Sequence, residues 1–255
     1  MSFGALESQA LVVPVGGWTM HVVDASATFD ATIAAGTYSP TSLLAAVQVA
    51  LEAGSAETYT VNWAATTLGL TEGGNGQVKI VCSSVFAITW TSTDLRDALG
   101  YTAGLAADGQ YTSTYGVKGL WLPDCPYLSP YGSQDPGHTE GGPAQAVSPL
   151  GVTKTIVHPT RVKMPGLRWS HVSVARARQQ AETGAPRSWE RFVRETMFGA
   201  VSYFRPGGAW RLYWNADSLG TSTDYYPIAP KSTAADAADT SWRGLYAVEF
   251  AGFKL

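Results

Sequence analysis

A chain of 255 residues with a net charge of −3 is long enough to bury one large core or two small ones. Only 15% of it is charged, and Gly, Thr, Ser, Trp and Tyr are plentiful, a mix that suits strands and turns better than a helical bundle. No apolar run reaches membrane-spanning length and the start lacks a signal peptide's basic region and cleavage site, so the expectation is a soluble product made inside the cell.

In chain order, "GWTMHVVD" (17–24) and "TFDATIA" (28–34) alternate as strands do. Gly36 is expected to free the backbone for a turn, Ser39 to cap, and Pro40 to take the first helical position. Leu43, Leu44, Val47, Ala50 and Leu51 then share one helical stripe, and Gly54 closes the element. Strands are expected over 57–64, 76–83 and 86–91, with an Asn-Gly turn in "LTEGGNGQ". A short capped helix follows in "STDLRDALG", ended by Gly100, and "YGVKGLWLP" reads as a strand.

Residues 123–149 are rich in Pro and Gly and cannot hold a regular element for long. They are expected to form a linker or an arm ordered against a partner, with Tyr127, Leu128 and Tyr131 favouring the arm. Beyond them, "VTKTIVHPTRVKM" and "LRWSHVSVARARQ" alternate. Ser188 caps a helix with Trp189, Phe192, Val193 and Met197 on one face, and Gly199 ends it. "WRLYWN" and "RGLYAVEFAGFKL" close the chain as strands. The fold class is therefore α+β and β-rich. It is read as an antiparallel sheet with one or two covering helices over 1–122, the arm over 123–149, and a sandwich-like β domain with one short helix over 150–255.

The near-neutral total hides an asymmetry. Residues 1–150 carry three cations (Lys79, Arg96, Lys118) against twelve acids, a net of −9, whereas 151–255 carry fourteen cations against eight acids, a net of +6. Opposite-signed ends can attract further copies of the chain, or the two domains simply differ in surface. Nucleic acid is not an expected partner, because the basic residues are dispersed among apolar ones.

Chemical motifs are sparse. The turn before the first helix holds one glycine and no following Lys, so it fits neither a Walker loop nor a dinucleotide fingerprint. Asp135, His138 and Glu140 form the best polar cluster, but a Pro/Gly-rich loop lacks the rigid support that metal ligands need. His21 and His171 fall in strand-like alternation and His158 precedes a proline. No G-x-S-x-G elbow occurs, and Asp94 and Asp97 sit at a helix start where the dipole explains them. Cys82 and Cys125 are expected as buried free thiols. No catalytic residue, cofactor or metal is assigned. Nine tryptophans raise a glycan-binding alternative, set against burial in cores or subunit interfaces.

Two phrases carry a resemblance. "FDATIAAGTYSPTSLLAAVQVAL" followed by "FAITWTSTDLRDALGYT" resembles a domain of virion proteins of tailed bacteriophages, over roughly residues 25–105. "PRSWERFVRETMFGAVSYFRPGGAWRLYWN" with the closing "RGLYAVEFAGFKL" is similar to the end of phage distal-tail and minor tail proteins. The resemblance implies a structural subunit of the tail, tail tip or baseplate, built as a ring of identical copies that contacts other tail proteins. It would reside in the virion after synthesis in the bacterial cytoplasm. Placement at the head–tail junction or on the capsid, a receptor- or carbohydrate-binding module, and a cell-wall hydrolase are the alternatives. Tyr127, Leu128, Tyr131, Arg176, Arg178, Arg191 and Arg194 are the expected assembly contacts.

Overall fold

The computed structural model describes residues 4–64, 76–123, 138–140, 143–147, 153–157, 161–173, 188–213, 225–230, 238–239 and 245–254. It is a β-rich α+β fold whose sheets are antiparallel throughout the described pairings.

In the first sheet β3 (Trp18–Val23) buries Trp18, Met20 and Val22 on one face and turns Thr19, His21 and Val23 to the other. It pairs with β4 (Thr28–Ile33) on one side and with the end of β7 (Gln77–Thr89) on the other. The first half of β7 pairs with β6 (Tyr59–Trp63), and β8 (Leu105–Gly116) runs along its opposite edge. The two strands expected over 76–83 and 86–91 are thus one. Its register against β8 jumps from Val81↔Gln110 to Phe86↔Asp108, so a bulge at Ser83, Ser84 and Val85 separates the two expected segments.

Helix α1 (Pro40–Gly54) covers this sheet, with Leu43, Leu44, Val47 and Leu51 buried. Its cap is reciprocal: the Ser39 hydroxyl accepts from Ser42 N (3.2 Å) and the Ser42 hydroxyl accepts from Ser39 N (2.8 Å). Gly36 differs from expectation. It lies in a short strand, β5 (Gly36–Tyr38), paired with β2 (Leu11–Val13), and carries no positive φ. Gly54 is required for space, because a Cβ there would sit 2.0 Å from the Phe29 ring.

Helix α2 (Thr93–Ala98) is tied to β3 by Ser92, whose hydroxyl accepts from Thr19 N at 2.8 Å instead of capping its own helix. Gly100 then turns the chain at φ +81°, where a Cβ would meet Tyr115 O at 2.2 Å.

The second sheet has the order β10 (His138–Glu140), β13 (Arg161–Ser173), β17 (Leu245–Lys254), β15 (Tyr225–Pro230), β14 (Trp210–Tyr213), β1 (Ala5–Ser8) and β9 (Leu120–Trp121). The two-residue β16 (Ala238–Asp239) pairs with β17, and β11 (Pro143–Val147) with β12 (Thr153–Val157) forms a separate ladder. Both β1 and β9 come from the first 122 residues, so this sheet draws on both ends of the chain.

Helix α3 (Trp189–Thr196), capped by Ser188, closes over it. Four tryptophans meet there. Trp121 lies edge-on to Trp169 and Trp189, each at 5.0 Å, and Trp210 packs on Trp189 (6.0 Å) and Phe192 (4.9 Å). All four are at most 1% exposed. Such ring pairs add about 0.5–1.5 kcal/mol each beyond the area they bury.

The β3–β4 turn hangs on Asp24. One carboxylate oxygen accepts from the amides of Ser26 and Ala27, each at 2.8 Å, and the other from Ser55 Oγ (2.6 Å) and Tyr59 OH (2.8 Å). Burial alone would raise this carboxyl, but the hydrogen bonds outweigh it and hold Asp24 well below the usual carboxylate range. A depressed folded-state pKa contributes stability above the unfolded pKa and loses it as pH falls toward the folded value. The melting temperature of the native chain should therefore drop between roughly pH 5 and pH 2 more steeply than that of Asp24→Asn, which should melt lower at neutral pH. Parallel curves would contradict the assignment.

Candidate functional site

The phrase that opens α1 is a joint with a charged base. Glu7 in β1 has no exposed surface. Its Oε1 accepts from Thr41 N in the first turn of α1 (2.8 Å), and its Oε2 from Tyr213 OH (2.9 Å) and Gln9 Nε2 (3.3 Å). The positive end of the helix dipole and these donors stabilise the buried carboxylate. Burial, followed by Glu7, pushes the Tyr213 hydroxyl up despite the opposing Arg211, keeping the proton on the donor.

A second tie crosses the fold at the turn between β8 and β9. Lys118, 5% exposed, forms an ion pair with Asp97 of α2 and lies 5.6 Å from the centre of the Tyr203 ring. Tyr203 OH donates to the same Asp97 oxygen at 2.7 Å. Gly119, at φ +79°, lets the turn approach Phe204, whose ring a Cβ would meet at 2.7 Å.

Outside this pair lies an open cleft of about 410 Å³, lined by Thr93, Asp94, Arg96, Asp97, Tyr101 and Tyr115 among others. Asp97 is committed to Lys118 and Tyr203, and neither His nor Cys lines the cleft. Among the described residues no group of three or more His, Cys, Asp or Glu could hold a metal ion. What this arrangement does is fix the chain, with Asp97 held by the ammonium of Lys118 and the hydroxyl of Tyr203.

Arg191 Nε donates to the buried Glu195 at 3.2 Å, one helical turn on, whereas Arg194 is exposed. Tyr127, Leu128, Tyr131, Arg176 and Arg178 lie outside the described residues, as do Asp135, His158 and Cys125. Cys82 is a buried free thiol. His21 pairs with Asp30 at 2.7 Å on the outer face of the first sheet, and His138 and Glu140 fall in β10 opposite Lys163 and Arg161. Trp18, Trp90, Trp121, Trp169, Trp189 and Trp210 are buried, so these six offer no open face on which a sugar could stack, whereas Trp63 is half-buried and Trp214 and Trp242 lie outside the described residues. Sequence reasoning missed Glu7, Lys118, Tyr203 and Tyr213. The available signal was a single charge inside an apolar run, Glu7 in "ALESQALVV" and Lys118 in "YGVKGLWLP".

Removing Asp97 strands a buried ammonium, whereas replacing the lysine by a chain of similar length does not. Asp97→Ala should cost about 3 kcal/mol in chemical denaturation and Lys118→Met under about 1 kcal/mol. The reverse order would show that the pair does not work in this way.

Comparison with family models, with curated proteins and with solved structures finds no match.

Proposed function

We propose that this chain is a non-enzymatic structural subunit of a bacteriophage particle, in the tail, tail tip or baseplate, assembling as a ring of identical copies. The observation that carries the reading is the paired phrase. Its residues do architectural work: Ser39 and Pro40 start α1, Leu43 and Leu44 fill the core, and Phe86, Ile88 and Trp90 bring the chain to α2. Leu95, Leu99 and Tyr101 pack beneath α2 around the obligatory glycine at 100. A sequence pattern explained by packing and turn geometry suits a brick better than a catalyst. The opposite net charges of the two halves and the large buried aromatic core are in keeping with a rigid self-associating subunit.

Electron microscopy and native mass spectrometry of the purified full chain test this. The expected result is closed rings of one copy number. A strictly monomeric species at every concentration overturns the reading.

A further inference from the structure

Two exposed apolar side chains stand in surroundings of opposite charge. Phe198 follows α3 and is 64% exposed, and the exposed Arg194 and Arg205 belong to the same closed turn, in which Ala200 N donates to Arg194 O and Gly207 N to Met197 O. Val49 is 66% exposed on the outer face of α1, beside the exposed Ala45 and Glu52 at helical spacing. Helix α1 carries Glu52 as its one charged residue. An exposed aromatic in a turn that also carries two exposed arginines has the composition of an interface anchor.

We infer that the Phe198 turn of one copy docks on the outer face of α1 of the next copy, with Phe198 against Val49 and Ala45 and with Arg194 and Arg205 facing Glu52. The partner is a second copy because the two patches complement each other in sign, and because the same complementarity runs through the chain, net −9 in residues 1–150 and +6 beyond. The patches differ, so the contact is heterologous: every copy uses both, and the assembly closes as a ring or grows as a filament. This deepens the reading of the chain as a self-assembling subunit and rests on it.

The test is sedimentation of the full chain over a range of concentration and salt, in the native form and as Arg194→Glu, Glu52→Arg, the double variant and Phe198→Ser. All three positions are exposed, so melting temperatures should stay near the native value. Each single reversal should weaken association by about tenfold or more, and the double variant should recover part of it, because one ion pair re-forms with its partners exchanged while Arg205 then faces a like charge. Phe198→Ser should weaken it as well, and added salt should act in the same direction. If the native chain assembles and no variant alters it, this contact is wrong while the subunit reading stands. If the native chain stays monomeric throughout, the subunit reading fails and the contact with it.

Discussion

A carboxylate without exposed surface organises this fold. Stripping an ionised carboxylate of water costs several kcal/mol, a cost tolerated only where fixed donors replace the water. Glu7 has them from two directions, the first turn of α1 and the hydroxyl of Tyr213 on β14, 206 residues apart in sequence from Glu7. The strand that carries it lies between β14 and β9, so the start of the chain is built into a sheet made largely from its end. The helix covering the first sheet and a central strand of the second are thereby held by one side chain.

The Lys118–Asp97–Tyr203 contact repeats that logic at the other side of β9, joining α2 to the segment after α3. Between the two ties sits the tryptophan cluster, whose edge-on rings fill the space where β9, β13, β14 and α3 converge. Among the described residues, the buried charges of Glu7 and Lys118 hold elements together. The chemical interest therefore moves to the outside, where Arg194, Arg205, Phe198, Val49 and Glu52 remain in solvent.

The elements most legible in the sequence were those with local grammar. Ser39-Pro40 and Ser188 start α1 and α3 where capping chemistry places them, and the alternation of β3 and β4 survives because one face of each is buried. Strand β8 was not legible, since it is an edge: with only Ser113 and Gly116 buried and Asp108-Gly109 interrupting it, it has little burial to impose alternation. Strand β1 escaped for the opposite reason. All four of its residues are buried, two of them polar, so no period of two appears. Strand β7 was read as two because the small polar residues Ser83 and Ser84 of its bulge interrupt the apolar alternation. Of the site, Glu7 and Lys118 depend on partners far away in sequence that only the fold brings near.

The most direct measurement of the central claim is a double-mutant cycle on Glu7→Gln and Tyr213→Phe, followed by denaturant unfolding. If Glu7 is the shared tie, the two substitutions are coupled by about 1 kcal/mol or more and the loss at Glu7 exceeds that at Tyr213, because the helix amide of Thr41 is weakened too. Additive losses, or a Glu7→Gln chain as stable as the native one, would contradict the account.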